Sequence, residues 1–347
     1  MQVENFSPAE TGLSMGAFGI GLYLLGGMCS WLVQHYRRNV VCMWAIVAMV
    51  MGFLLLWYIN GLRSEFVSFE LILLQRLFLG AAFGLAQMVL SSTLIIDTCE
   101  SYQRTEANYS AAWFARFALS LGPLSGVLVF GLYGFYGVFL VTMGLAVLAL
   151  LLIKFVDFPF RSPEENAHFG SLDRFLLPQA YVLFFNLLPV SMVVGLLLTL
   201  SLSASFYALM MGGFLLALLA HRFVFRDAEL KSEIISGLIL MLAALFILFV
   251  YPLSSVAPVL TGLGIGIVSS RFLLFFIKLS RHCQRGTSQS MYFLGWETGI
   301  ALGVGLGYGL LYGQRDLLFG LALALIAIAL MVYHLFTHSW FMRHKNR

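Results

Sequence analysis

VDFPFRSPEENAHFGSLDRF, Val156 to Phe175, is the longest polar stretch in a chain otherwise built of apolar runs. It holds two prolines and charges of both signs, the composition of a connection rather than of a helix. Working outward from it, apolar runs recur on both sides, each long enough for the roughly 20-residue helix that crosses a hydrocarbon core. Before it, the spans are predicted at 12–34, 39–61, 69–97, 109–133 and 136–155. After it, they fall at 175–201, 203–222, 234–254, 257–279, 289–312 and 317–341. The reading is therefore five helices and six, eleven in all, joined by one linker.

Composition agrees. Hydrophobic residues make up 61% of the 347 and charged residues 10%, with a mean hydropathy of +0.92. Soluble domains carry about 25% charged residues, so a water-soluble fold is excluded and nothing long remains for a soluble domain. The net charge of +4 is no nucleic-acid signal, because the Lys and Arg residues sit at the ends of the apolar runs. Of four cysteines, Cys29 and Cys42 fall inside runs, while Cys99 and Cys283 fall at run ends; no disulfide framework or CxxC metal site is suggested. The opening MQVENFSPAETG has neither a basic stretch nor a small-residue cleavage site, so it does not read as a signal peptide.

Eleven spans place alternate connections on opposite sides. One side holds Arg37, Arg38, Arg104, Lys154, Arg161, Arg174, Arg222, Arg226, Lys231, Lys278, Arg281, Arg285, Arg343, Lys345 and Arg347. The other holds only Arg63 and Arg315, and Arg76, Arg116 and Arg271 lie within spans. By the positive-inside rule the basic side, with the C-terminus, is cytoplasmic and the N-terminus is outside. A further helix ahead of Met1 would return the N-terminus to the cytoplasm and make twelve. The expectation is a chain lacking its first helix, with a native eleven-span chain as the alternative.

The linker gives three segments: an N-terminal helix bundle at 1–155, a cytoplasmic linker at 156–174 and a C-terminal bundle at 175–347. Internal repeats support the division. Sliding 104–126 onto 285–307 aligns Arg104 with Arg285, Leu121 with Leu302, Gly122 with Gly303 and Gly126 with Gly307, and sets Arg116 over Glu297. A shift of 186 aligns Gly26, Gly27 and His35 with Gly212, Gly213 and His221. Parallel repeats about an axis along the membrane normal are a transporter architecture.

Short motifs then add a resemblance. RLFLGAAFG, Arg76 to Gly84, resembles the arginine-glycine motif on the fourth helix of the major facilitator superfamily. LGPLSG, Leu121 to Gly126, resembles the glycine-proline motif on that family's fifth helix, often seen in its antiporters. SWLVQHYRRN, Ser30 to Asn39, falls where the family has its loop between helices two and three, in altered form: Gln34 stands for the acidic residue and Arg37 for a glycine, leaving Arg38 as the basic match. The resemblance implies an all-α membrane protein of two six-helix bundles, here twelve helices minus the first. A central cavity lies between the bundles, and alternating access comes from rocking one against the other. It implies a monomer in the cell (inner or plasma) membrane with a small-molecule solute as partner, no nucleic acid and no cofactor.

Charges within spans are the site candidates, because each costs at least about 2.5–3.5 kcal/mol near a helix centre unless paired or hydrated. Arg271 lies roughly 14 residues from the outer end of its span and Glu297 roughly 8 from the cytoplasmic end of the next, so both fall near mid-depth at about 1.5 Å per residue, and a pair is expected. Glu297 reads as the only carboxylate deep in a span and is the leading proton-coupling candidate, against a structural ion pair. By resemblance, Arg76 matches the arginine associated with substrate or proton handling. Arg116 is expected either opposite Glu297 near the cavity or snorkelling to the headgroups. Gln87 and Asn186 are expected to bond solute or to bridge helices; His35 and His221 read as interfacial and solvated. Gly80, Gly84, Gly122, Gly126, Gly303 and Gly307 are expected to bring backbones together, and Pro123 and Pro189 to bend their helices.

No HExxH, GxSxG or phosphate-binding Gly-Lys loop appears, and the acidic residues are scattered, so neither an enzyme nor a metal site is expected. The function read from the sequence is secondary active transport of a small solute, with proton coupling and export as the finer expectation. The three cationic residues within spans lean toward an anionic or zwitterionic solute. A receptor or scaffold with a transporter fold is the alternative, and a polytopic membrane enzyme the less favoured one.

Overall fold

A computed structural model describes residues 6–61, 68–94, 99–100, 102–156, 170–172, 174–225, 229–281 and 284–346. Most of the linker 156–174, with Arg161, lies outside these residues, as do Arg63, Arg226, Cys283 and Arg347. Regular structure among the described residues is helical throughout. The helices are α1 (Pro8–Leu24), α2 (Gly26–His35), α3 (Arg38–Gly61), α4 (Phe69–Val89), α5 (Arg104–Lys154) and α6 (Tyr181–Leu198). They continue as α7 (Ala204–Phe223), α8 (Leu230–Val250), α9 (Val256–Leu279), α10 (Arg285–Gly309), α11 (Arg315–Val332) and α12 (His338–His344). A π-helical turn, Leu90–Leu94, extends α4, and another, Tyr333–Thr337, joins α11 to α12.

Local chemistry sets the helix starts. Ser7 and Glu10 form a capping box ahead of Pro8, satisfying backbone N–H groups that the first turn leaves free. Ser68 caps α4 and Ser203 caps α7.

Among the described residues eight helices are long and apolar enough to cross a membrane, and α1 with α2, bent by 43° at Leu25, has the length and composition of a ninth if the pair is one span. The stretch Glu106–Lys154 within α5 is 49 residues, or about 74 Å at 1.5 Å per residue, more than twice a hydrocarbon core. It breaks at Gly134, whose φ of 64° is readily adopted only without a side chain. Beyond the break the chain runs back along α3: Phe139 stacks on Trp57, and the Val156 carbonyl accepts from Asn39 Nδ2 at 3.1 Å. These contacts bracket both ends of α3, so α5 is two crossings. Helix α10, 25 residues long, is less apolar than these because of the polar run Gly286–Ser290; counting it, with α5 as two and α1–α2 as one, gives the expected eleven among the described residues.

Lipid tails are as apolar as the helices, so association rests on close packing rather than on water exclusion. Three crossings use facing glycines: Gly21 with Gly80 (α1, α4), Gly195 with Gly303 (α6, α10) and Gly213 with Gly262 (α7, α9). At each, a Cβ would come within about 3 Å of the opposite Cα. Gly84 meets the Leu22 backbone and Gly307 meets Thr199, so four of the six expected packing glycines are in close contact.

Gly122 and Gly126 are not. A Cβ at either would meet nothing within 4 Å. Their repeat counterparts Gly303 and Gly307 are covered by α6 and the Thr199 that follows it, whereas Gly122 borders an open groove whose far wall is Met211 and Leu215 of α7. Pro123 and Pro189 sit inside continuous helices, and the breaks fall instead at Leu25 and Gly134. A proline tilts a helix without leaving helical backbone angles, whereas Gly134 leaves them.

The segment before the linker meets the segment after it along two seams. Helix α1 packs on α10, and α5 packs on α7 and α9.

Candidate functional site

Where these seams converge, α5, α9 and α10 line a partly open cavity of about 60 Å³, room for a few water molecules. Helix α5 contributes Ala112, Ala115, Arg116 and Leu119, spaced at three and four residues so that all lie on one face. Helix α9 contributes Ile265, and α10 contributes Tyr292, Phe293, Trp296, Glu297 and Ile300. Arg116 and Glu297, superimposed by the internal repeat, line the same space.

Arg116 is buried and held on several sides. Its Nε donates to Ser269 Oγ, and its Nη2 donates to the Tyr292 hydroxyl at 3.4 Å. The guanidinium also lies 4.5 Å from the centre of the Trp113 ring, a cation–π distance. Nη1 is buried without a hydrogen-bond partner. The expectation of snorkelling is not met, because these partners hold the side chain across the seam between α5 and α9–α10.

Glu297 accepts from Gln87 Nε2 on α4, a long bond of 3.4 Å, and Gln87 Oε1 is left without a partner. Beside it, Thr298 and Tyr23 of α1 share a 2.5 Å hydrogen bond. Trp296 Nε1 is buried without a partner at the same cavity. Two residues with an unpartnered buried donor and a carboxylate with one weak partner therefore line one largely apolar space, a pattern expected of a site rather than of a settled core.

The Arg271–Glu297 pair expected from depth is not formed. Arg271 Nε binds Glu233 Oε2 at 2.5 Å, and Glu233 is almost fully buried. The predicted span 234–254 begins one residue after Glu233. Helix α8 instead begins at Leu230, so Glu233 occupies its first turn, where the helix dipole favours a carboxylate. His221 Nδ1 lies 3.8 Å from the same Oε2, and His221 Nε2 is 3.2 Å from the Tyr109 hydroxyl of α5. His221, a quarter exposed, is thus part of a network across the seam.

The other candidates lie apart from the cavity. Asn186 donates to the Ala329 carbonyl at 3.1 Å, bridging α6 to α11. Arg76 sits on α4 with a buried Nε that has no hydrogen-bond partner. Gln34 ends α2 with a buried, unpartnered Oε1, Arg37 is exposed and Arg38 begins α3. His35 folds back on Trp31, stacking on its ring and bonding its carbonyl. No group of three or more potential metal ligands occurs among the described residues.

The sequence profile of the major facilitator superfamily matches residues 1–304, most of the chain. The chain belongs to the major facilitator superfamily. It is a multi-pass membrane transporter by family, with a lipid bilayer and a small solute as its partners. No curated protein sequence matches it significantly. Among solved structures it is similar to a bacterial homologue of the iron transporter ferroportin in an outward-facing state with soaked iron, at 15% identity and a TM-score of 0.62. That likeness covers 94% of this chain and 89% of the other. It is also similar to the human organic anion transporter MFSD10 (TETRAN), at 14% identity and a TM-score of 0.64, over 93% of this chain and 83% of that one. At such identities the likeness establishes the superfamily's two-bundle fold. The sequence reading missed Tyr292, Trp296, Ser269 and Trp113 as site residues. The signal available was the polar and aromatic density of GTSQSMYFLGWETG in a membrane-spanning helix.

Proposed function

We propose that this major facilitator superfamily protein is a secondary active transporter that works by alternating access, with the Arg116–Glu297 cavity as its solute site and Glu297 as its proton-coupling group. One observation supports this reading above the others: a cation and a carboxylate, one from each repeat, line a single cavity at the seam between the two segments. The bundles are those of residues 1–155 and 175–347, joined by the cytoplasmic linker 156–174, and the monomer is the working unit. The basic side and the C-terminus face the cytoplasm of a cell membrane. The small cavity is the contracted form of the site, and rocking of the bundles widens it toward one side at a time.

A proton and a cationic solute group compete for the one carboxylate, so the coupling is exchange. The solute leaves as the proton enters, which agrees with the glycine-proline motif at Leu121–Gly126. Proteoliposomes with an entrapped pH-sensitive dye test the assignment against a panel of small anionic, cationic and zwitterionic solutes. At least one solute is expected to dissipate an imposed pH gradient, and Glu297→Gln is expected to abolish that response while solute still binds. A Glu297→Gln protein with an unaltered gradient response sinks the coupling assignment, and a wild-type protein that moves none of the panel contradicts transport at this site.

A further inference from the structure

The cavity carries information about the solute's charge. Three arginines within spans suggest a cationic interior, but only one reaches the site. Arg271 is neutralised by Glu233 at 2.5 Å, and Arg76 stands on α4 outside the lining. What remains is one guanidinium and one carboxylate, Arg116 and Glu297, in a space walled by Leu119, Ile265, Phe293 and Ile300.

The unsatisfied atoms sharpen the pattern. Arg116 is 4% and Trp296 7% exposed, and each keeps one N–H group, Nη1 and Nε1, without a partner. Both donors suit a carboxylate. Glu297, whose hydrogen bond from Gln87 is 3.4 Å, suits an ammonium. A solute with a net negative charge would leave Glu297 uncompensated, and one with a net positive charge would leave Arg116 so. Either is costly between largely apolar walls. A zwitterion satisfies both ends at once and leaves the site neutral. Resting on the transport reading of this cavity, we infer that the solute is a small amino-acid-like zwitterion with an apolar body, its carboxylate held by Arg116 and Trp296 and its ammonium by Glu297.

Binding to the purified protein in lipid nanodiscs tests this with three probes of nearly one shape: L-leucine, L-leucine methyl ester, which lacks the anion, and N-acetyl-L-leucine, which lacks the cation. L-Leucine is expected to bind about tenfold or more tightly than either, the ratio set by one charge-assisted hydrogen bond. Arg116→Gln should remove its advantage over the ester, and Glu297→Gln its advantage over the acetyl compound. Thermal melts and Arg116→Lys and Glu297→Asp variants show that the altered proteins are folded and that the conservative changes partly restore the preference. If the ester or the acetyl compound binds as well as L-leucine, or if none of the three binds, the zwitterion assignment is overturned. If binding occurs but neither substitution alters it, the transport reading of the cavity falls as well.

Discussion

Glu233 is buried and Glu297 lines a cavity, and their surroundings make opposite demands on the two carboxylates. Glu233 is locked to Arg271 by a 2.5 Å ion pair, so removing either partner strands the other in a low-dielectric interior. Breaking such a pair costs about 3–5 kcal/mol. Glu233→Gln and Arg271→Gln should therefore lower the melting temperature in detergent clearly below that of the unaltered protein. Glu297 has only the long amide bond from Gln87, which a glutamine can also accept. Glu297→Gln should melt close to the unaltered protein, its loss appearing in the pH-gradient response instead. Differential scanning fluorimetry of the three variants side by side checks this, and an equal loss of stability in all three would contradict the division. The sequence separates these carboxylates poorly. Hydropathy assigns Glu233 to a run end, and only its burial against Arg271 shows that it is inside.

At the scale of the helix, the same small residue does different work at repeat-related positions. Gly303 faces Gly195 with no room for a side chain, whereas Gly122, its counterpart, faces nothing within 4 Å. Gly303→Leu should destabilise the protein strongly or prevent its folding, because α6 and α10 would have to separate. Gly122→Leu should be tolerated, with melting temperature and yield near normal. If both substitutions are equally damaging, the α5 face is covered by another transmembrane element. Sequence alone gave the glycines equal standing because spacing records which face they occupy, not whether a helix lies opposite. The span boundaries were far more legible. Apolar runs end where polar and charged residues begin, and even the sharp reversal at Gly134 fell between two predicted spans. The pairing of Arg116 with Glu297 at one cavity was visible through the repeat. Helix bridging by Asn186 was one of its two expected roles, but its partner, the Ala329 carbonyl, was not legible, since a polar residue within a span has no sequence mark for a backbone partner on a distant helix.

For the whole molecule, the two segments must move relative to one another if the cavity is to open. The α5–α7 seam is held by Tyr109 with His221, and the α5–α9 seam by Arg116 with Ser269. Tyr109→Phe removes one of these cross-seam bonds, worth about 0.5–1.5 kcal/mol. It should shift the population of states without unfolding the chain, since the lost bond does not support either segment alone. The shift would be read as a severalfold change in labelling rate at a cavity cysteine.

Accessibility of the cavity itself bears most directly on alternating access. With Cys29, Cys42, Cys99 and Cys283 replaced, Ala115→Cys places a single thiol on the cavity wall without touching Arg116 or Glu297. A membrane-impermeant thiol reagent applied separately to each side of the membrane should label it from both sides, and the labelled protein should no longer exchange solute. A thiol reached from only one side, or one whose modification leaves exchange intact, would contradict the account.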